Sequence, residues 1–162
     1  MMPAFRVGLG YDVHSLVPER PLILGGVRIP FHQGLAGHSD ADVLSHAVGD
    51  ALLGAAGLGD LGRHFPDTDP QYKGIESVRL LERIGSLLRR EGLVVGNIDV
   101  SVVAQEPRLA PYIQEMQAAL SKVLNISVDQ INIKATTTER LGFAGRQEGM
   151  AAYAVALLIK TE

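Results

Sequence analysis

From Ile98 the chain alternates: Ile98, Val100, Val102 and Ala104 are apolar, and Asp99, Ser101 and Gln105 are polar. A period of two puts each set on its own face of a pleated chain, so Leu93–Gln105 is predicted as a strand. The period changes in Ile75–Glu91. There Val78, Leu81, Ile84 and Leu88 form one stripe, with Arg79, Glu82, Arg83, Arg89 and Arg90 off it. That is the spacing of an amphipathic helix, stopped at Gly92.

The remaining elements follow from similar signals. Phe5–His14 reads as a first strand. Pro21–Leu24 and Val27–Pro30 flank Gly25-Gly26, and paired glycines supply the positive φ of a tight hairpin. A helix is expected over Asp40–Ala56, with Ser39 as its N-cap and Gly57 closing it. Leu58–Gly74 reads as a long loop rich in Gly, Asp and Pro, and loops of that length are usually functional. Pro111 opens a third helix reaching Leu124. Gln130–Thr138 is a strand, a loop runs to Gly149, and Met150–Lys160 is the last strand.

The order β, hairpin, α, α, β, α, β, β implies an α/β (α+β) fold with a mixed β-sheet and helices packed on one face. Met150–Ile159 is apolar at nearly every position, so both of its faces need cover. Helices can cover one. The other is covered either by a second subunit in a closed oligomer or by the same chain around a central strand, and the pattern alone does not choose.

Composition narrows the classes. With 162 residues, 46% of them hydrophobic, the chain can bury the core of one domain spanning residues 1–162. A net charge of −3 without a Lys or Arg run excludes a nucleic-acid track and an anionic membrane surface. The absence of cysteine removes disulfides, thiolate ligands and Cys nucleophiles, and fits a reducing compartment. Ala151–Ile159 is too short to span a bilayer. The fold is expected to begin within a few residues of the N-terminus, leaving no room for a signal peptide, so the expected location is cytoplasmic.

The candidate chemistry sits in Asp12-Val13-His14 and in His38-Ser39-Asp40-Ala41-Asp42-Val43-Leu44-Ser45-His46. Asp12 and His14, two apart on a strand, leave the same face, and His46 lies on the following helix. One carboxylate and two imidazoles make a three-ligand site for a borderline metal such as zinc, with a fourth position open. A D-x-H triplet and a helical histidine also arise without a metal, as capped or core residues. Gly57-Leu58-Gly59-Asp60-Leu61-Gly62 matches G-x-G-x-x-G but follows a helix and enters a Pro-rich loop, so it is a flexible loop and not a dinucleotide fingerprint.

Asp67 and Asp69, within Phe65–Pro70, read as turn residues or, with Asp60, as part of a ligand-covering flap. In Lys134–Glu139 the threonines suit a strand, and their hydroxyls and N–H groups can also hold phosphate oxygens. Glu139 is a candidate oxygen ligand for a hard divalent cation. Phe143 and Arg146 follow in a Gly-punctuated loop, where the arginine is solvated or binds an anion. His32 and His64 lack partners in the pattern.

Together these segments resemble the 2-C-methyl-D-erythritol 2,4-cyclodiphosphate synthase family of the non-mevalonate isoprenoid pathway. The motifs are Gly10–His14, His38-Ser39-Asp40, Asp50–Ala56, Phe65–Pro70, Lys134–Glu139 and Phe143-Ala144-Gly145-Arg146, in this order over essentially the whole chain. The resemblance implies cyclisation of 4-diphosphocytidyl-2-C-methyl-D-erythritol 2-phosphate with release of CMP. It implies zinc on Asp12, His14 and His46, a second divalent cation (magnesium or manganese) on Glu139, and transition-state stabilisation by His38 and Thr137.

Substrate contacts implied by the resemblance are Asp12, His14, His38, Ser39, Asp60, Leu61, Gly62, Phe65, Pro66, Asp67, Thr68 and Asp69. On the nucleotide side they are Ala104, Gln105, Glu106, Pro107, Arg108, Leu109 and Ala110, and around the phosphates Thr136, Thr137, Thr138, Glu139, Phe143 and Arg146. The family is a homotrimer with sites between subunits and sheets facing the trimer centre. Its central cavity takes isoprenoid diphosphates, with Arg146 and Glu148 near the mouth. Met1–Ala4 extend slightly beyond the usual start, Ala41 stands where glycine is common, and no second catalytic domain is attached. A zinc-dependent phosphoester hydrolase and a trimeric isoprenoid-diphosphate binding module are the other readings these residues allow.

Overall fold

The computed structural model describes residues 4–161. In chain order the elements are β1 (Phe5–Pro18), β2 (Leu22–Leu24), β3 (Val27–Ile29), β4 (Gln33–Leu35), α1 (Val43–Ala56), α2 (Leu61–His64), α3 (Ser77–Arg90), β5 (Leu93–Val103), α4 (Ile113–Leu124), β6 (Ile131–Thr136), α5 (Gly142–Gly145) and β7 (Gly149–Lys160). Five strands form one sheet in the order β4-β1-β7-β5-β6, and β2 pairs with β3 separately. β5 and β6 run parallel, and the other neighbours in the sheet are antiparallel, so the sheet is mixed as expected.

The helices cover one face. Met150, Ala152, Ala154, Ala156 and Leu158 of β7 point into the core beneath α1 and are buried. The alternate residues show what the strand pattern left open. Phe5, Val7, Leu9, Tyr11 and Val13 of β1 and Tyr153, Val155 and Ile159 of β7 are exposed. In the register Leu9 stands opposite Val155 and Tyr11 opposite Tyr153, whose rings lie 4.9 Å apart. The central strand is thus buried on one face only, and the other side of the sheet carries a continuous apolar band.

The helix α1 packs unusually close to the sheet. Its sequence is rich in alanine, and Val43, Leu44, Ala47, Val48, Ala51, Leu52, Leu53 and Ala55 are all buried. Gly8 and Gly10 of β1 face it, and a Cβ on either would collide with the carbonyl oxygen of Ala51 or Ala47. The expected N-cap, Ser39, is replaced by Asp42. Ala41 has a left-handed φ of +57°, which turns the chain and delays the helix to Val43. The fully buried Asp42 carboxylate accepts the Ser45 N–H at 3.0 Å, the Ser45 hydroxyl at 2.7 Å, and the N–H groups of Gly25 and Gly26 at 2.9 and 2.8 Å. One side chain therefore caps α1 and holds the β2–β3 turn.

Other departures are small. β1 continues past His14 to Pro18 and pairs there with β4, which no periodicity announces. The segment 58–74 is not a plain loop: Asp60 caps α2 by accepting the Arg63 N–H, and Asp69 caps a 3-10 turn at Pro70–Tyr72. No helix among the described residues is long and apolar enough to cross a membrane.

Candidate metal centre and adjoining cavities

Asp12 and His14 share the helix-facing side of β1 with Gly8 and Gly10, and α1 presents His46 next to Ala47. Asp12 Oδ2 lies 2.8 Å from His14 Nε2 and 3.1 Å from His46 Nδ1, and the two nitrogens are 3.1 Å apart. The three donor atoms all fall within 4.8 Å of one another. His14 Nδ1 is 2.7 Å from the carbonyl oxygen of Ala36. A carbonyl can only accept, so His14 Nδ1 carries a proton; Nε2 donates to the Asp12 carboxylate when the ring is protonated and offers its lone pair to the cluster when it is neutral. His46 Nε2 points away, 2.8 Å from Ser77 Oγ and 3.2 Å from Ser39 Oγ.

The electrostatics suit a cation. Burial raises the Asp12 carboxyl, but the hydrogen bonds and charges of His14 and His46 outweigh it and hold it down to about 2. Burial lowers the His14 imidazole, and the Asp12 carboxylate outweighs that and raises it. One carboxylate oxygen and two imidazole nitrogens fit zinc better than magnesium, which prefers oxygen ligands throughout.

A cavity of about 510 Å³ opens on this cluster. It brings Asp12, His14 and His46 together with His38, Ser39, Asp60, Leu61, Gly62, Phe65, Pro66 and Asp67. Asp50 of α1, which the sequence reading left without a role, also lines it and accepts the Leu61 N–H at 2.8 Å. Burial raises the Asp50 carboxyl, the donated Leu61 N–H opposes that, and the nearby Asp60 adds to it. Phe65 packs edge-on against Tyr72, whose ring lies under the Arg83 guanidinium, so the cavity's outer wall is braced on α3. Thr68 and Asp69 are outside the lining, but the Asp69 carbonyl oxygen is 3.3 Å from His38 Nε2.

A second cavity, of about 760 Å³, gathers Ala104, Gln105, Glu106, Pro107, Arg108, Leu109 and Ala110 with Thr136 and Thr137. It shares no lining residue with the first. Beyond it the chain turns through Glu139 and Arg140, both at positive φ, and Thr137 Oγ1 accepts the Glu139 N–H at 3.2 Å. The Thr138 hydroxyl donates to the Leu141 carbonyl, and the Arg140 N–H to the Gln105 side chain. Phe143 lines a smaller depression, of about 230 Å³, together with Val13, His14 and Glu148. Arg146 is exposed and pairs with Glu148 at 2.8 Å, which lowers the Glu148 carboxyl.

Comparison with known proteins gives a consistent set. Residues 5–159 match the model of the YgbB family. A 2-C-methyl-D-erythritol 2,4-cyclodiphosphate synthase of Pelotomaculum thermopropionicum is 66% identical over 96% of this chain and 96% of its own. Among solved structures, the bifunctional IspDF of Campylobacter jejuni superposes with a TM-score of 0.94 at 46% identity, covering 98% of this chain and 43% of that one. A CDP complex of IspF from Plasmodium falciparum superposes with a TM-score of 0.88 at 33% identity over the full length of both chains.

Proposed function

The chain belongs to the YgbB family, whose matched relatives are 2-C-methyl-D-erythritol 2,4-cyclodiphosphate synthases, and from that membership we propose how its residues divide the work of the reaction. The activity is that of a phosphorus–oxygen lyase in the non-mevalonate pathway of isoprenoid biosynthesis. An oxygen of the substrate's 2-phosphate attacks its own β-phosphorus, the bond from that phosphorus to the bridging oxygen breaks, and CMP leaves with that oxygen. The product is 2-C-methyl-D-erythritol 2,4-cyclodiphosphate. Because nucleophile and electrophile are tethered, catalysis is folding of the substrate plus stabilisation of charge.

Asp12, His14 and His46 hold zinc, and Glu139 ligates a second divalent cation, magnesium or manganese. When bound, these ions supply Lewis-acid neutralisation of the diphosphate charge. His38 and Thr137 donate hydrogen bonds where charge builds on the β-phosphate. Asp60 to Gly62 and Phe65 to Asp69 enclose the methylerythritol end, Ala104 to Ala110 hold the cytidine, and Thr136, Thr138, Phe143 and Arg146 complete the phosphate surroundings.

The enzyme works as a homotrimer in the cytoplasm, with each site shared between subunits and an isoprenoid diphosphate accepted in the central cavity near Arg146 and Glu148. Two features support the trimer: the apolar band on β1 and β7 needs a partner, and the two cavities are separate within one chain. Sedimentation equilibrium is expected to give three times the chain mass.

The observation that carries this reading is the Asp12–His14–His46 cluster on a cavity wall, in a chain 66% identical to a named synthase over 96% of its length. The test is product analysis by phosphorus NMR with magnesium present. CMP and a cyclic diphosphate are expected, whereas orthophosphate or linear monoesters would make the protein a hydrolase, and binding without turnover a carrier. His46→Ala is expected to lose zinc and activity while staying folded, and zinc retained at full occupancy would overturn the ligand set.

A further inference from the structure

Ser77 opens α3 and is 1% exposed, yet its hydroxyl is in contact with three polar side chains at once. It reaches the Asp40 carboxylate, and lies 2.8 Å from His46 Nε2 and 3.3 Å from Ser39 Oγ. The proton on each atom follows from what its partners can do. Asp40 accepts the N–H of Asp42 at 3.1 Å and the N–H of Ser77 at 3.1 Å, so it acts as an acceptor throughout. The Ser77 hydroxyl therefore donates to Asp40.

A hydroxyl has one proton, so Ser77 Oγ can only accept from His46. His46 Nε2 therefore carries a proton, so a neutral ring has its lone pair on Nδ1, 3.1 Å from both Asp12 Oδ2 and His14 Nε2. The Asp12 carboxylate, itself an acceptor, pulls the other way, towards Nδ1–H. Ser39 fits the same scheme: its Oγ accepts the Ala41 N–H at 3.1 Å and can donate to the remaining lone pair of Ser77.

We propose that Ser77, held by Asp40, is a positioning residue that fixes the orientation and tautomer of His46 and so presets the metal centre. The proposal rests on the zinc reading above. It explains why α3, which supplies no ligand, begins with a buried serine: the first turn of α3 locks the ligand carried by α1. Without this hydroxyl Nε2 has only the more distant Ser39 Oγ, while Nδ1 keeps the Asp12 carboxylate at 3.1 Å, so the balance moves towards Nδ1–H. A ring with its proton on Nδ1 cannot ligate through that atom. Groups that orient metal-bound histidines typically contribute ten- to a hundred-fold in metal affinity.

The test uses the full chain, labelled with nitrogen-15 at histidine. In metal-free wild-type protein at alkaline pH, the neutral His46 ring is expected to carry its proton on Nε2, and a proton on Nδ1 overturns the proposal. Zinc affinity is then measured by competition with a chelating dye. Ser77→Ala is expected to weaken zinc about tenfold, the lower end for such a group, and to mix the His46 tautomers, while Ser77→Thr restores most of both. A serine that only stabilises α3 would lower the thermal midpoint of metal-free protein and leave zinc affinity unchanged, and that result overturns the proposal. Should Ser77→Ala not fold, Asp40→Asn decides: unchanged tautomer and unchanged zinc affinity overturn it. Wild-type protein that binds no zinc would sink the metal reading itself, a result distinguishable from the others.

Discussion

Gly10 of β1 lies directly against the backbone of Ala47 in α1, with no room for a side chain between them. Gly10 is two residues before Asp12, and Ala47 is the residue after His46. The missing side chain therefore sets the distance between the strand that carries two of the proposed metal ligands and the helix that carries the third.

Gly10→Ala is expected to push α1 off the sheet and separate His46 from Asp12. Overpacking of this kind typically costs about 1–3 kcal/mol, and here the obstacle is backbone, which yields less than a side chain. Thermal unfolding should show the loss, and zinc affinity should fall with it. Wild-type zinc affinity in this variant would mean that the approach of strand and helix does not set the ligand geometry.

Ala41 occupies a left-handed conformation with φ +57° and is fully buried. An L-residue there is strained by roughly 1–2 kcal/mol, and glycine is not. Ala41→Gly removes that strain together with a methyl group and adds some unfolded-state entropy, so a net gain of up to about 1 kcal/mol is expected. Chemical denaturation measures it. A destabilised variant would show that packing of the Ala41 methyl outweighs its backbone strain.

Thr137 stands at the edge of the second cavity. A donor aimed at charge that develops during attack matters most in the transition state, so Thr137→Val should lower kcat by roughly 10²-fold while KM moves little. Steady-state kinetics separates the cases. A tenfold rise in KM at unchanged kcat would make Thr137 a ground-state contact, leaving stabilisation to His38 and the metals.

Zinc binding is expected to weaken in mild acid. The imidazole of His14 is raised by Asp12, and its protonated form offers no lone pair. As pH falls through that raised value, zinc must displace a proton, and affinity drops about tenfold per pH unit for one proton. The Asp12 carboxyl, held to about 2, stays ionised throughout this range and does not contribute. Competition titrations across the weakly acidic range check the slope, and an affinity independent of pH would contradict it.

The long elements were legible because each carries a strong period or an end signal: the stripe of α3, the alternation in β5, and the stop of α1 at Gly57, which takes the left-handed cap expected of it. The Asp12–His14–His46 cluster was legible because a period of two commits Asp12 and His14 to one face before any fold is known. β4 was missed because a three-residue edge strand containing Gly34 has no room to show a period. Ser39 was misplaced as a cap because nothing in an Ala codes for the positive φ found at Ala41. Ser77 was invisible for a different reason: an unremarkable polar residue at the start of a helix gains its role only when α3 packs across α1. Asp50 was hidden similarly, within a helix read for its apolar residues.

The two cavities of one chain, which share no lining residue, have a genetic consequence. If His46 and Thr137 serve the same reaction from neighbouring subunits, His46→Ala and Thr137→Val damage different halves of every site. Mixed in one assembly by co-expression, two crippled proteins would regenerate some fully competent sites, and activity would exceed that of either alone. Sites closed within single chains could show no such complementation. Alleles of this enzyme would then not be independent: a chain with one intact half could rescue, or be poisoned by, the copy made beside it.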